Sequence, residues 1–211
     1  MEFSPSLDYL ALGDSYTIGD SVLEGERFPV QTVSRLRDKG ITCADPLIVA
    51  SSSWTTDELH QGILTSRPSG SFDMVSLLIG VNNQYRGLSL DDYATSFQTL
   101  LDLSLDFVRG STSCLFVLSI PDWGVTPFAE GRDKFAIARS IDAFNDVNRK
   151  LTERIGAHYL DITPLTRVAA VEPELIAEDG LHPSAKAYAQ WAELLSDRMA
   201  GEWKTVHTLP R

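Results

Sequence analysis

Residues 8–19 read DYLALGDSYTIG, in which a short apolar run gives way to glycine, aspartate and serine. The run from Asp8 to Leu12 has the length of a buried strand, and similar runs recur along the chain. Turn residues bound each of them, so we predict five strands in total. The other four predicted strands span Leu47 to Ala50, Met74 to Ile79, Cys114 to Ile120 and His158 to Ile162.

The segments between these strands have the periodicity of amphipathic helices. Thr55 and Glu58 have the spacing of a capping box, and Gly40 is a stop signal after the preceding helix. Ser89, followed by Asp92, marks the start of a longer helix. The predicted helices span Arg27 to Lys39, Thr55 to Leu64, Ser89 to Phe107, Asp133 to Ile155 and Ser184 to Met199.

This alternation of strands and helices predicts an α/β fold, because right-handed crossovers join parallel strands and cover both faces of the sheet. We predict a three-layer α/β/α sandwich around a five-stranded parallel sheet. Residues 1–200 are expected to form a single domain, since no repeat or linker divides the 211-residue chain. Residues 201–211 are predicted to be a C-terminal tail.

The charge balance restricts the class of partner. The chain has a formal net charge of -11, which repels phosphate backbones and anionic membrane surfaces. We therefore predict no nucleic-acid partner and no membrane association, and the apolar runs are too short to cross a bilayer. The acidic charge is interpreted mainly as an aid to solubility, and a neutral small molecule is the substrate easiest to accommodate.

The two cysteines and the N-terminal segment bear on the cellular compartment. A disulfide between Cys43 and Cys114 stays open, but two buried thiols are the favoured state. No basic segment followed by an apolar run precedes the first strand, so no signal peptide is predicted. The expected location is the cytoplasm, unless a leader has been removed. Nothing in the pattern decides the oligomeric state.

Three polar clusters stand out against this framework. Gly13 to Gly19 follows the first strand, Gly80 to Gln84 follows the third strand, and Asp179 to Ser184 precedes the last helix. The carboxyl ends of parallel strands meet at one edge of a sheet, where ligands bind. We therefore expect the first two clusters to lie together, and the third lies on a loop that can return to them.

Each cluster taken alone has a structural alternative. Asp14 and Ser15 could cap a helix, and Gly80 to Gln84 could form a turn. His182 could lie on a surface loop that leads into a helix. Together, however, the clusters supply a hydroxyl nucleophile, an amide donor for an oxyanion, and a histidine with a carboxylate to orient it. Serine hydrolysis requires this set of groups.

The motifs Gly-Asp-Ser-Tyr at 13–16, Gly-x-Asn-Asn at 80–83 and Asp-x-x-His at 179–182 resemble, in this order, those of the SGNH, or GDSL, hydrolase family. The resemblance extends from about residue 8 to residue 190. It implies a flavodoxin-like three-layer sandwich, in agreement with the strand count. No dinucleotide-binding glycine loop and no metal-ligand spacing occurs, so neither a cofactor nor a metal is predicted.

The resemblance also implies a catalytic triad. Ser15 would be the nucleophile, His182 the general base, and Asp179 the acid that orients the histidine. Asp122, which follows the fourth strand, is an alternative for the acid. Asp179 is preferred because the chain fixes its spacing to His182.

An oxyanion hole is implied as well. The backbone N–H of Ser15 and the side-chain amide of Asn82 would donate to the oxyanion. Ser53 occupies the position of the glycine whose backbone N–H is usually the third donor, and a serine retains that N–H. Asn83 stands where many members carry aspartate. It is expected to support the loop beside the substrate and not to react.

Further substrate contacts are predicted from position alone. The segment 119–128 follows the fourth strand and should overhang the site. Trp123, Val125 and Phe128 could line an acyl or alcohol pocket, or they could pack the loop onto the core. Trp54 and Trp123 are candidate platforms for a sugar.

The implied activity is hydrolysis of small-molecule carboxylic esters through an acyl-enzyme. The compact chain has no long lid insertion, which favours short acyl groups such as acetyl and butyryl. A carbohydrate O-deacetylase and a lysophospholipase or thioesterase are alternatives within the family. A non-catalytic ligand-binding module is less favoured, because every catalytic role has a candidate residue.

Overall fold

A computed structural model describes the backbone of residues 6–208 and the side chains of residues 6–205. Five parallel strands form one sheet in the order β2-β1-β3-β4-β5. The three central strands are wholly buried, as expected for a parallel sheet that is covered on both faces. The strands are β1 (Tyr9–Gly13), β2 (Leu47–Ala50), β3 (Met74–Leu78), β4 (Leu115–Leu118) and β5 (His158–Leu160).

Eight α-helices within the described residues surround this sheet, and short 3₁₀ turns connect several elements. The helices are α1 (Ser15–Ile18), α2 (Phe28–Asp38), α3 (Thr56–Ser66), α4 (Val81–Tyr85), α5 (Leu90–Phe107), α6 (Lys134–Ile155), α7 (Thr163–Arg167) and α8 (Ala185–Thr208).

The helices form two layers. Helix α2 packs against α8, whereas α5 packs against both α3 and α6. Right-handed crossovers place these two groups on opposite faces of the sheet. The largest fully buried side chains belong to both layers and include Trp191 of α8 and Phe97 of α5. The predicted three-layer sandwich with a five-stranded parallel sheet is thus confirmed.

The last helix is longer than the sequence pattern predicts. Helix α8 continues through Gly201 to Thr208, so most of the predicted tail is helical, and Trp203 packs against the core. Gly201 misled the prediction because glycine is a frequent helix stop. Residues 209–211 of that predicted tail lie outside the described residues.

The cysteines and two strand ends also differ in detail. Cys43 and Cys114 are both free thiols, but only Cys43 is buried. Cys114 closes a 3₁₀ turn, and β4 begins at the next residue. Strands β4 and β5 end two residues before the predicted ends, because the backbone there turns into the loops at the carboxyl edge of the sheet.

The strand order creates a crevice at that edge. From β1 the chain continues to β2 on one side of the sheet, and from β3 it continues to β4 on the other side. The loops that follow β1 and β3 therefore lead away from each other and leave a crevice between them. Gly13 allows the two strand ends to approach, since a Cβ there would lie 2.5 Å from the carbonyl oxygen of Leu78. The polar clusters at Ser15 and Asn82 come immediately after these two strands.

Candidate active site

Ser15 is the first residue of the short helix α1, directly beyond β1. Asp14 caps this helix, because its carboxylate accepts a hydrogen bond from the backbone N–H of Tyr16 at 3.0 Å. A backbone N–H in the first turn of a helix has no intrahelical acceptor, so the Ser15 N–H is free to bind an anion. The capping alternative and the nucleophile hypothesis are therefore compatible, since different residues fill the two roles.

Asp14 is a buried carboxylic acid beside the candidate nucleophile. It is fully buried, and its Oδ2 has no hydrogen-bond partner among the described residues. Burial raises the pKa of Asp14 to about 8, and nearby Asp20 acts in the same direction. The carboxyl group is thus mostly protonated at neutral pH, which avoids the cost of an unpaired buried charge.

This shifted pKa predicts that the free energy of unfolding depends on pH. The folded-state pKa of Asp14 lies above its ordinary value of 3.8, so between these values the folded state holds a proton that the unfolded state releases. Stability from this group is therefore greatest at acid pH and is lost as the pH rises toward about 8. Urea unfolding of the wild type and Asp14→Asn, from about pH 5 to about pH 9, measures the effect.

Asparagine can also cap the helix but does not titrate. The stability of the wild type relative to Asp14→Asn should fall as the pH rises. A difference that stays constant across this range would show that Asp14 does not titrate there.

His182 and Asp179 form a close pair on the loop before α8. The Nδ1 atom of His182 lies 2.5 Å from Oδ2 of Asp179. The backbone N–H groups of Leu181 and His182 both donate to Oδ1 of the same carboxylate at 2.9 Å. The His182 side chain is 12% exposed, and its ring meets the ring of Tyr16 edge-on with centroids 5.5 Å apart. The imidazole is therefore fixed beside the residue that follows Ser15.

Hydrogen bonds keep Asp179 ionised. Partial burial would raise the pKa of this carboxyl, but the hydrogen bonds from His182, from the two backbone N–H groups and from Ser21 outweigh it and hold the pKa well below its usual range. The hydroxyl of Ser21 donates to Oδ2 at 2.7 Å. A permanently charged acceptor next to Nδ1 fixes the proton on that nitrogen and leaves Nε2 as the basic atom.

Asn82, in the first turn of α4, and Ser53, in the loop between β2 and α3, lie at the same edge of the sheet. One N–H of the Asn82 amide donates to the carbonyl oxygen of Trp54 at 2.9 Å, so the side chain is held while its second N–H stays available. Ser53 has a φ of 66°, in the left-handed region that favours glycine. This backbone conformation supports the assignment of Ser53 to the glycine position of the family.

Not every predicted contact is formed. Asp179 holds His182, and the ring of His182 contacts the ring of Tyr16. These contacts bring the loop before α8 next to Ser15. Within residues 6–205, however, the Ser15 hydroxyl makes no hydrogen bond to His182. In unliganded enzymes such bonds are often long and tighten only when substrate is bound.

Two predicted substrate contacts are turned away from the crevice. Asn83 is buried, and its amide both donates to the hydroxyl of Thr56 and accepts from its backbone N–H. These bonds join Asn83 to the start of α3, and its burial keeps the amide out of reach of a ligand. The ring of Trp54 lies on α3 so closely that a Cβ at Gly62 would come within 2.2 Å of it.

The three apolar residues after β4 occupy different environments. Trp123 is buried, and its indole N–H donates to Oε1 of Gln84 at 2.9 Å. Val125 packs against a small apolar cluster that includes Leu175. Phe128 is 40% exposed, and its backbone N–H donates to the carbonyl of Gly180. Of these three residues, only Phe128 exposes a large part of its side chain to a ligand.

Asp122, the alternative triad acid, has a different partner. Its Oδ2 forms an ion pair with Nε of Arg167 at 2.8 Å, and its Oδ1 accepts from the backbone N–H of Gly124. Asp122 is almost fully buried, and these contacts use both of its oxygens. Asp179 is the carboxylate that contacts His182.

Sequence reasoning missed several residues of the site. The hydroxyl of Ser21, in the segment that follows α1, donates to Asp179. The hydroxyl of Ser52 donates to Asp20 at 2.6 Å, and the guanidinium group of Arg86 donates to the carbonyl oxygen of Ser53. Ser21 has a φ of 65°, which no sequence pattern signals for a serine. These contacts join residues far apart in the chain, so only the folded structure could reveal them.

The described residues give no sign of a metal centre or a membrane span. No group of three or more histidine, cysteine, aspartate or glutamate side chains within them could hold a metal ion. None of the helices in the described part of the chain is both long and apolar enough to cross a bilayer.

Comparison with solved structures places this fold among SGNH-type hydrolases. The acetylxylan esterase Axe2 from Geobacillus stearothermophilus superimposes with a TM-score of 0.69 at 18% identity, over 94% of this chain and 96% of that one. TesA gives 0.68 at 16% identity, over 92% and 99%. A lipase/acylhydrolase from Enterococcus faecalis gives 0.71 at 17% identity, over 92% and 96%. The class is that of an SGNH-fold hydrolase.

The sequence profile of the GDSL-like lipase/acylhydrolase family matches residues 11–190. The chain therefore belongs to this family and is a hydrolase of carboxylic esters. A comparison with curated proteins gives no significant match.

Proposed function

We propose that this protein is a serine esterase that hydrolyses short-chain carboxylic esters through an acyl-enzyme on Ser15. The observation that carries the proposal is the 2.5 Å pair between His182 and Asp179, held against Tyr16 beside Ser15. An oriented imidazole next to a serine at the carboxyl edge of a parallel sheet has the geometry of a general base and its nucleophile.

The proposed reaction has two acyl-transfer steps. His182 takes the proton of Ser15 as the hydroxyl oxygen attacks the ester carbonyl, and a tetrahedral oxyanion forms. The backbone N–H groups of Ser15 and Ser53 and the amide of Asn82 stabilise it. His182 then gives its proton to the departing alcohol. Water attacks the acyl-enzyme by the same route and releases the acid.

The preference for short acyl groups rests on the compactness of the chain, in which no long insertion could form a lid over a long acyl chain. The cavity beside His182 has a volume of about 30 Å³ and is lined mainly by apolar side chains, among them Tyr16, Trp123 and Leu181. Ser15, Ser53 and Asn82 do not line this cavity, and a volume of that size holds roughly one water molecule, so the cavity offers no room for a long acyl chain. The rest of a long chain would have to lie on the exposed surface, where less apolar area is buried on binding.

A panel of p-nitrophenyl esters from acetate to palmitate tests the substrate range. We expect kcat/KM to be highest for acetate or butyrate and to fall for longer chains. A maximum at long chains would contradict the short-chain assignment and would favour a lysophospholipase or thioesterase. Acetylated xylo-oligosaccharides belong in the same panel, because a selective O-deacetylase would cleave them and leave the nitrophenyl esters intact.

Covalent labelling distinguishes a catalytic serine hydrolase from a non-catalytic ligand-binding module. An organophosphonate should label the wild type at Ser15, because the activated hydroxyl displaces its leaving group. A protein that neither hydrolyses any ester of the panel nor reacts with the phosphonate would be a ligand-binding module, and the proposal would be wrong.

A further inference from the structure

Three aromatic rings beside the candidate active site surround one cation. Tyr85, Trp123 and Phe128 contact one another, with ring centroids 5.4 to 6.1 Å apart. The guanidinium carbon of Arg132 lies 5.4, 5.3 and 5.1 Å from the centroids of these three rings, respectively. We refer to these four residues as the aromatic–arginine cluster. The rings attract and orient the planar guanidinium group through cation–π contacts.

The cluster is joined to both sides of the candidate site. Tyr85 ends helix α4, three residues after Asn82. On the opposite side, the Phe128 backbone N–H donates at 3.0 Å to the carbonyl of Gly180, which lies between Asp179 and His182 in the chain. The cluster therefore contacts both the helix that carries Asn82 and the loop that carries Asp179 and His182.

Arg132 has no ion-pair partner among the described residues, as is also true of the exposed Arg67 and Arg109, but it differs from them because three aromatic rings hold its guanidinium group. Among the described side chains it donates one hydrogen bond, to the Tyr85 hydroxyl at 3.3 Å, and no carboxylate lies within ion-pair distance of it. Other arginines do have such partners, for example Arg167 with Asp122. A guanidinium group has five N–H donors, so most of those of Arg132 remain free for a ligand.

The chemistry of this group selects an anion. A guanidinium held among three aromatic rings loses little further freedom on binding, and its paired N–H groups match the two oxygens of a carboxylate. The protein as a whole carries a formal net charge of -11 and repels anions. A local cation beside the candidate site would offset this repulsion for an anionic ester.

We propose that Arg132 is a specificity-determining residue that binds an anionic oxygen group, such as a carboxylate, on the acyl or alcohol part of the ester substrate. This inference rests on the proposed esterase function and refines it. It also departs from the expectation, based on net charge alone, that the substrate is neutral.

Matched pairs of esters test the proposal. Monoethyl succinate and ethyl butyrate differ mainly in a carboxylate on the acyl part, and 3-acetoxybenzoate and 3-acetoxybenzamide differ in a carboxylate on the alcohol part. Arg132→Gln should lower kcat/KM for the anionic member of at least one pair by about tenfold, the loss expected for a charge-assisted hydrogen bond. The neutral members should change by less than about twofold, and Arg132→Lys should retain part of the preference.

Arg109→Gln is the matched control. It removes the same charge from the segment between α5 and β4, at the amino edge of the sheet and away from the candidate site. It should leave all four rates unchanged. Thermal unfolding of each variant shows whether the fold is retained.

Three results would overturn the inference. In the first, anionic and neutral esters lose rate equally in Arg132→Gln, so that the cluster only holds the loop. In the second, neither anionic ester is affected. In the third, the variant gains activity only on cationic choline esters, which would make the rings a site for a ligand cation. Failure of the wild type to hydrolyse any of these esters would instead refute the esterase proposal itself.

Discussion

The Ser15→Ala variant is expected to fold normally and to retain less than about 1% of the esterase turnover, given the size of nucleophile effects in serine hydrolases. The fold should persist because the Ser15 hydroxyl makes no hydrogen bond to another described group, and alanine is a good helix former at the start of α1. The activity should be lost because the neighbouring hydroxyl of Thr17 at the end of β1 is fully buried and cannot replace that of Ser15.

Turnover of the best nitrophenyl ester and labelling by an organophosphonate measure this effect. Ser34→Ala is the control, since Ser34 is an exposed serine on α2 and its removal should leave both readouts unchanged. Circular dichroism should give the same spectrum for all three proteins. Turnover of Ser15→Ala above about 1% of wild type would rule out Ser15 as the nucleophile.

Asp179→Asn is expected to lower kcat by about 10⁴, the size of effect known when an orienting aspartate becomes its amide in a serine protease. Oδ2 of Asp179 accepts from both Nδ1 of His182 and the hydroxyl of Ser21. In Asp179→Asn, an amide N–H in the place of Oδ2 would point at the proton on Nδ1, and two donors cannot form a hydrogen bond with each other. The imidazole ring would then flip or change tautomer. Nε2 would then no longer be the basic atom of the ring, as the proposed mechanism requires.

The pH profile adds a second readout for this pair. Because its hydrogen bonds hold the pKa of Asp179 well below the usual range, the carboxylate stays ionised wherever the enzyme is assayed. Loss of activity on mild acidification should therefore not come from Asp179. Glu178→Gln is the control, because Glu178 is exposed and adjacent in the chain. If Asp179→Asn kept more than about a tenth of the wild-type kcat, Asp179 would not be the orienting acid.

The regular elements could be predicted because their signals are local. The capping box of Thr55 and Glu58 and the N-cap at Ser89 are both formed, and they fix the starts of α3 and α5. The buried strands are continuous apolar runs, which is the pattern of a sheet covered on both faces. The order of the three motifs then placed Ser15 and Asn82 at one edge of that sheet.

The remaining parts of the site depend on contacts between distant segments. The spacing of Asp179 and His182 was visible in the chain, whereas the role of Ser21 arises only when residues 158 positions apart meet. Likewise, the tryptophan at position 54 is aromatic and close to the oxyanion residues in sequence, yet its ring packs on α3 over Gly62. A side chain's direction follows from tertiary packing, which composition and periodicity do not encode.

The loops at the mouth of the crevice are fastened to one another largely by serine hydroxyls at the surface. Ser52 joins Asp20 and Ser21 joins Asp179, both in exposed positions. Each such bond contributes only about 1 kcal/mol, because water competes for the same groups. The buried sheet beneath is far more firmly held. Mild denaturant should therefore disorganise the loops that carry the candidate catalytic residues while the sheet remains intact, and inactivation would precede global unfolding.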